Sequence, residues 1–185
     1  MKGSDKVNTP LGNIRLSEAF TDIKLAKKGN KIAFERLIEE HKYTLYRVAR
    51  TRLHCEEDIE DVFQETIIKA YKGIINLRKE EYFKTWIIRI MINECNNVVR
   101  KRKDVLYIDE DIAENIQSEV PGDNIEIFDL ISSLEEDLKM VTLLYFYEDM
   151  PQKDIAKLLS IPNGTVRSRL SRAKEKLREI IKEAM

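Results

Sequence analysis

The stretch from residue 151 to residue 177 constrains the fold more than any other part of this 185-residue chain. Apolar residues recur at helical spacing up to Leu159, the pattern breaks over residues 160–164, and it restarts at Val166. Two short amphipathic helices joined by a few turn residues are the signature of a helix-turn-helix. The stretch therefore predicts such a motif near the end of the chain.

The second predicted helix separates apolar from basic residues. At about 100° per residue, Val166, Leu170 and Ala173 share one side of it. Short polar and basic side chains occupy the opposite side and the flanks: Arg167, Ser168, Arg169, Ser171, Arg172 and Glu175. Arginine can bind guanine edges or phosphate with two hydrogen bonds, and serine allows a close backbone approach. This face indicates DNA binding, and a solvated helical hairpin is the alternative interpretation.

The charges of the chain are segregated, although its net charge is only -1. Residues 1–103 contain 22 basic residues (Lys and Arg) and 15 acidic residues (Asp and Glu). Residues 104–138 contain no basic and 12 acidic residues, and residues 139–185 contain 10 basic and 6 acidic residues. Two basic blocks thus flank an acidic one, a pattern that points to a polyanionic partner.

Several classes of protein are disfavoured by composition. No apolar run reaches the roughly 18 residues that span a membrane, and no secretory signal pattern is present, so we expect a cytoplasmic protein without membrane insertion. Cys55 and Cys95 lack metal-ligand or CxxC spacing, which favours free thiols. With 43 % hydrophobic and 35 % charged residues, the chain is expected to be a folded and largely helical protein.

The N-terminal half predicts one helical domain over residues 23–103, after an unassigned lead-in over residues 1–22 that could be flexible. Helical patterns run from Ile23 to Leu53, with a break at Gly29 and Asn30, and again from Glu56 to Ile74. The outer face of the latter helix carries an acidic ridge, which we define as Asp58, Asp61, Gln64 and Glu65. Such carboxylates can dock a basic partner, stay solvated, or ligate a metal through Glu57, Asp61 and Glu65. The absence of a Glu-x-x-His motif disfavours the metal.

The next predicted helix, from Tyr82 to Arg102, places aromatic residues beside amides and cations. Its polar side is interpreted as a surface for opened DNA, because bases stack on rings, amides read base edges and cations hold phosphates. The candidate residues are Lys84, Trp86, Arg89, Asn93, Asn96, Asn97 and Arg100. For Phe83 and Trp86 individually, a place in the core is the stronger interpretation.

The predicted fold class is all-α, with two small helical domains joined by a flexible acidic linker. Residues 104–127 contain Pro121 and Gly122 and no basic residue, which is typical of a linker. The C-terminal domain covers residues 128–185. The pattern at Ser133 to Glu136 predicts a capping box that starts the helix before the helix-turn-helix.

Three motifs in this order resemble the sigma factors of bacterial RNA polymerase, specifically the two-domain extracytoplasmic-function group. DIEDVFQETIIKAY from residue 58 is similar to region 2.2, FKTWIIRIMINECNNVVRKRK from residue 83 to regions 2.3 and 2.4, and DIAKLLSIPNGTVRSRLSRAKEKL from residue 154 to region 4.2. The likeness extends from Lys24 to Arg178 apart from the linker. Pro151, where the family usually has a serine or threonine, and Asn163, which replaces an apolar residue, depart from the pattern.

The resemblance implies a role for each surface. The acidic ridge would dock on the clamp helices of the polymerase β′ subunit. Leu77 and Asn93 would capture a flipped base of the minus-10 element, and Trp86 with the basic side would bind the melted strand. The minus-35 readers would be Thr165, Arg167, Ser168, Arg169, Ser171 and Arg172.

The predicted function is therefore that of a transcription initiation factor that binds core RNA polymerase and promoter DNA and promotes promoter opening. The resemblance adds the polymerase β flap and a cognate anti-sigma factor as partners. It implies no enzymatic activity, catalytic residue, metal or cofactor. Two alternatives stay open at this stage: a dimeric helix-turn-helix regulator of palindromic DNA, and a carboxylate-metal hydrolase.

Overall fold

Every regular element in the described part of the chain is a helix. A computed structural model describes the backbone of residues 10–105 and 125–183, and the side chains of residues 19–102 and 128–182. Most of the predicted linker lies outside these residues. Within them, the all-α prediction is confirmed.

The N-terminal half contains four α-helices. These are α1 (Pro10–Lys27), α2 (Lys31–Arg50), α3 (Glu56–Gly73) and α4 (Phe83–Val105), and two single 3₁₀ turns, Ile74–Asn76 and Glu80–Tyr82, join α3 to α4. The predicted break between α1 and α2 is confirmed, since Gly29 has φ 90° and Asn30 caps α2 by accepting a hydrogen bond from the Ala33 amide at 3.0 Å.

The C-terminal half contains α5 (Ile125–Ser132), α6 (Glu136–Thr142), α7 (Gln152–Leu159) and α8 (Asn163–Glu183), with a five-residue π-helix, Leu143–Tyr147, after α6. Helices α7 and α8 form the predicted helix-turn-helix. Its turn depends on Ser160, which ends α7 in the left-handed conformation with φ 55°. Asn163 and Gly164, predicted as turn residues, instead form the first turn of α8.

Two further details of the prediction are corrected. Helix α1 begins at Pro10, inside the segment taken as a lead-in, because the fixed φ of proline suits a first helical turn. The capping box at Ser133 is absent. Glu135 precedes α6 without a side-chain cap, and the Ser133 hydroxyl donates to the Leu130 carbonyl at 2.7 Å.

The core of the N-terminal half lies between α2, α3 and α4. Leu37 and Leu45 from α2, Ile59 from α3, and Ile87 and Met91 from α4 are each at most 1 % exposed. Burying such side chains contributes roughly 1.5–3 kcal/mol apiece. This packing fixes the outer faces of α3 and α4 relative to each other.

The two halves pack against each other. One apolar cluster extends from Ile23 and Phe34 in the first half to Phe128, Leu144 and Leu170 in the second. The described structure is therefore a closed arrangement in which α6 and α7 contact the N-terminal helices.

Candidate nucleic-acid and protein interfaces

Three members of the acidic ridge lie on the open surface of α3. Asp61, Gln64 and Glu65 are exposed, and Ile59, Val62 and Ala70 anchor the opposite side of the helix in the core. Asp58 differs because it forms an ion pair with Arg102, from the basic end of α4. The accessible part of the ridge is thus Asp61 to Glu65.

Apolar side chains continue this surface toward the end of α3. Ile68 is 46 % exposed and Ile75 is 66 % exposed, and Ile68 lies two helical turns from Asp61 on the same side. An exposed stripe that combines carboxylates with large apolar side chains is typical of a protein-binding surface. Neither isoleucine is part of the ridge that the sequence predicts.

A salt bridge ties the ridge helix to α4. Lys69 Nζ lies 2.6 Å from Glu94 Oε2, and this hydrogen bond raises the pKa of Lys69 above its ordinary value. Glu94 is buried, so its charge needs such a partner. The pair helps to keep the ridge and the outer face of α4 in a fixed relation.

The outer face of α4 carries a polar stripe. Arg89, Asn93, Asn96 and Arg100 are all exposed and follow each other at spacings of four, three and four residues, which places them in one row. Asn97 lies beside the row and is half-buried, with its Oδ1 accepting a hydrogen bond from Arg100 at 3.1 Å. The stripe presents amide and guanidinium groups together, a combination that suits contacts with base edges and phosphates of nucleic acid.

Two residues predicted for this surface, Leu77 and Lys84, lie elsewhere, and a third, Trp86, lies beside the stripe. Leu77 is only 7 % exposed, because the apolar side chain packs into the core after the 3₁₀ turn, and this arrangement does not support a base contact by it. Lys84 falls on the opposite side of α4 from Asn93 and reaches toward Glu148 in the C-terminal half. Trp86 is half-buried beside the stripe, where its ring packs against Phe83 with the centroids 5.8 Å apart.

Helix α8 exposes the face that the helical wheel predicts. Val166, Leu170 and Ala173 are buried, which confirms the predicted apolar side. Arg167, Ser168, Ser171 and Arg172 are exposed, and Thr165 and Arg169 are half-buried on the flanks. The recognition face is therefore short, polar and basic.

Carboxylates at the start of α6 engage two arginines of α8. Arg172 lies 2.7 Å from Glu135 and 3.4 Å from Asp137, and Arg169 lies 3.4 Å from the same Asp137 oxygen. These groups are largely exposed, so the pairs are weak individually, at most about 1 kcal/mol. A DNA contact by either arginine would exchange one anionic partner for another.

Two negative findings concern the described residues only. Within them, no three His, Cys, Asp or Glu side chains come together as a metal site requires. None of the described helices is both long and apolar enough to cross a bilayer.

Comparison with known proteins identifies relatives along most of the chain. The sigma-70 region 2 family matches residues 37–105, and the sigma-70 region 4 family matches residues 125–177. The chain is 32 % identical to the ECF RNA polymerase sigma-E factor of Haemophilus influenzae, over 92 % of this chain and 100 % of that protein. It is 28 % identical to the ECF RNA polymerase sigma factor SigW of Bacillus subtilis, over 87 % of this chain and 95 % of that protein.

Solved structures of similar fold include two protein complexes. CnrH, in complex with the cytosolic domain of CnrY, superposes with a TM-score of 0.63 at 21 % identity, covering 91 % of this chain and 99 % of CnrH. RpoE of Bartonella quintana, in complex with the anti-sigma factor NepR, gives a TM-score of 0.64 at 23 % identity, covering 80 % of this chain and 96 % of RpoE. At these identities the likeness establishes the shared fold.

Proposed function

The chain belongs to the extracytoplasmic-function group of the sigma-70 family, and on that premise we propose which of its surfaces bind polymerase and which bind the promoter. As a sigma factor it acts in transcription initiation. The acidic ridge binds core RNA polymerase at the β′ clamp helices, the polar stripe of α4 binds the minus-10 strand, and the exposed face of α8 reads the minus-35 element.

The observation that carries this proposal is the polar stripe of α4. Its four exposed side chains stand in one row on a helix whose other side is held in the core, so the row is rigid before DNA arrives. Arg89 and Arg100 supply cations for phosphates, and Asn93 and Asn96 supply amides for exposed base edges. This composition suits a strand that has been separated from its partner and supports a role in promoter opening.

The ridge supports a protein partner and not DNA. Asp61 and Glu65 would repel phosphates. The exposed side chain of Ile68 beside them would stabilise a complex with a protein partner that buries it.

The remaining predicted partners, the β flap and an anti-sigma factor, are proposals too. RpoE of Bartonella quintana is bound to an anti-sigma factor, and we propose that this chain has an inhibitor of that class. We place its action in the cytoplasm, where transcription occurs.

Reversing one charge on the ridge tests the polymerase interface. Asp61→Lys should weaken competition for core RNA polymerase by about tenfold, because a docking charge is reversed at an interface. Glu60→Lys is the matched control, since it makes the same charge change on the same helix about 100° away. The two are compared by competition binding against a reference sigma factor.

Gel shifts and transcription assays with and without core enzyme complete the test. The wild-type chain should bind promoter duplex and support transcription only with polymerase. If Asp61→Lys and Glu60→Lys competed equally well for core RNA polymerase, the ridge would not be part of the polymerase interface. If the chain alone bound promoter duplex tightly and polymerase did not increase this binding, the assignment of the surfaces would be contradicted.

A further inference from the structure

A lysine at the end of α1 is bonded to the residues that join α3 to α4, which we define as the connecting segment, 74–82. Lys27 Nζ donates a hydrogen bond to the Leu77 carbonyl at 2.8 Å and lies 3.4 Å from Glu80 Oε1. Leu77 directly follows the first 3₁₀ turn of the segment, and Glu80 begins the second. One ammonium group thus holds both turns, through hydrogen bonds that its charge strengthens.

The end of α1 fixes the point from which this lysine reaches out. Gly29 takes φ 90°, and its amide donates to the carbonyl of buried Ala26 at 2.9 Å. The Asn30 amide donates to the Leu25 carbonyl at 3.1 Å, which completes a glycine-terminated helix end. The Lys27 side chain is only 24 % exposed, so it leaves α1 at a defined position and with limited freedom.

The backbone bonds within the connecting segment are local. The Leu77 amide donates to the Ile74 carbonyl at 3.0 Å, and the Tyr82 amide donates to the Lys79 carbonyl at 3.2 Å. These bonds close each turn but do not fix the direction of one turn relative to the other. Lys27 adds that constraint from a helix 50 residues away in the sequence.

The connecting segment borders the polar stripe of α4 at both of its ends. Trp86 lies seven residues before Asn93, which places it on the same side of α4. Gly73, where the segment begins, lies so close to the Trp86 ring that a Cβ there would come within 3.1 Å of it. Tyr82, where the segment ends, lies four residues before Trp86 and is 52 % exposed. The row of side chains on α4 therefore continues into the segment.

The exposed side chains of the segment are of the same kinds as those of the stripe and its neighbour Trp86. Asn76, Arg78 and Lys79 are exposed, and Lys79 Nζ lies 5.7 Å from the centre of the Tyr82 ring. Amides, cations and a ring are the groups that contact base edges, phosphates and base faces. A strand lying along the stripe would reach them next.

We propose that Lys27 is a positioning residue, which fixes the connecting segment and thereby sets the base preference at that edge of the minus-10 strand. The inference rests on the proposed function, because the segment selects bases only if the stripe binds this strand. Lys27 acts through the segment, since its ammonium group is engaged by Leu77 and Glu80. It belongs to α1, before residue 37, where the match with sigma-70 region 2 begins.

Rigidity of the segment is the reason for this effect. A surface that can repack accepts several ligands with similar affinity, whereas a fixed one excludes those that do not fit. Loss of the Lys27 hydrogen bonds leaves the exposed groups of the segment in place but allows them to adapt to different bases. Discrimination between bases should therefore fall more than overall affinity for the promoter.

Limited trypsin digestion of the free full-length chain tests the clamp directly. Trypsin cleaves after Arg78 and Lys79 when the segment opens locally, and the rate follows the population of the open form. Lys27→Met keeps an unbranched side chain and removes the donor. It should speed cleavage at these two sites about tenfold, the factor expected when a hydrogen bond from a charged donor is lost.

Two further variants control this measurement. Lys28→Met removes the same charge and one trypsin site at the exposed neighbouring position, and it should leave cleavage after Arg78 and Lys79 unchanged. Lys27→Arg retains a charged donor and should restore the wild-type rate. Mass spectrometry of timed digests assigns each cut.

The base preference is measured with the polymerase complex. Promoter fragments randomised over the minus-10 element are selected by complexes of core polymerase with each variant and then sequenced. Lys27→Met should lower the preference at one edge of the element by about fivefold, the lower end of the usual discrimination at one base pair. A parallel pool randomised over the minus-35 element should show the wild-type preference, which a general loss of stability would not preserve.

Glu80→Gln covers the case in which Lys27→Met does not fold, as judged by circular dichroism. It weakens one of the two acceptors, so it should shift both measurements in the same direction by a smaller amount. Unchanged cleavage after Arg78 and Lys79 in the folded variants would overturn the clamp. Faster cleavage with an unchanged minus-10 preference would overturn the positioning role.

Failure of this inference is distinguishable from failure of the proposed function. If wild-type complexes selected no minus-10 preference at all, the assignment of the polar stripe would fail. The trypsin measurement uses neither polymerase nor DNA, so it would still decide whether Lys27 holds the segment.

Discussion

Arg172 has two competing sets of partners, because its guanidinium lies against Glu135 and Asp137 while its proposed ligand is a base edge. Arg172→Ala should cost roughly 1–3 kcal/mol of discrimination between matched and mismatched minus-35 sequences, the usual value for one bidentate base contact. The lower end is expected, since the intramolecular pairs in the free protein must first be given up. Competition binding of promoter variants to the polymerase complex measures it.

Arg178→Ala supplies the matched control for this prediction. Arg178 is exposed on the same helix but lies just beyond the segment that matches the sigma-70 region 4 family. It should lower affinity for all sequences alike, or leave it unchanged. If Arg172→Ala also weakened matched and mismatched sites equally, Arg172 would contact phosphate and not a base.

The two cysteines differ in chemistry because their surroundings differ. Cys95 is fully buried in α4, and burial raises the pKa of its thiol to about 12. Cys55 lies half-buried just before α3. Since the thiolate is the reactive form, native Cys95 should react with iodoacetamide at least about a hundredfold more slowly than Cys55. Peptide mass spectrometry after timed labelling checks this, and equal rates would show that α4 opens readily.

At the scale of elements, the turn of the helix-turn-helix carries a measurable strain. Ser160 adopts the left-handed conformation, in which glycine has no Cβ penalty. Ser160→Gly should therefore stabilise the protein by roughly 0.5–1 kcal/mol, read as a rise of a few degrees in Tm. Glu175→Gly, in the exposed interior of α8, should lower Tm by a similar amount. If Ser160→Gly and Glu175→Gly shifted Tm in the same direction, the left-handed conformation of Ser160 would not be the source of strain in the turn.

Elements with strong periodicity are predictable from the sequence, and their tertiary environment is not. The stripe of Val166, Leu170 and Ala173 follows from helical spacing alone. The inward position of Leu77 does not, because a loop residue turns inward or outward according to what packs over it, and neither does the partner of Lys84 on α4. Lys84 is placed by Glu148, which lies 64 residues away and belongs to the other half. No local pattern encodes such a pair.

The same limit applies to helix starts. A capping box at Ser133 fits the sequence, but the chain places the start of α6 after Glu135, where Leu134 and Leu138 can both be buried. Burial of two leucines is worth several kcal/mol, whereas one cap contributes about 1 kcal/mol. The burial of the leucines therefore decides where the helix begins.

For the whole molecule, the burial of His41 predicts a stability that depends on pH. His41 is largely buried, with its ring against Phe83 at 5.3 Å, and this burial lowers the pKa of His41. Glu40 and Glu148 favour the protonated imidazole and Lys84 opposes it, but desolvation is the largest effect.

The sign of the dependence follows from the lowered pKa. The unfolded chain binds a proton to His41 near pH 6.5, above the pKa in the folded state. The contribution is therefore fully present above about pH 6.5 and is lost as pH falls toward the folded pKa. Urea unfolding at a series of pH values should show the loss in the wild type and in the control His54→Gln, whose side chain is exposed, and a flatter profile in His41→Gln. Identical profiles for all three would exclude His41 as the cause.

The packing of Trp86 has a practical consequence. It is the sole tryptophan of the chain and lies half-buried beside the polar stripe, and a Cβ at Gly73, where α3 ends, would come within 3.1 Å of its ring. Indole emission responds to stacking and to solvent. The native chain thus carries an optical probe at the meeting point of its two proposed surfaces, and titration with unlabelled single-stranded DNA can be followed by its intrinsic fluorescence.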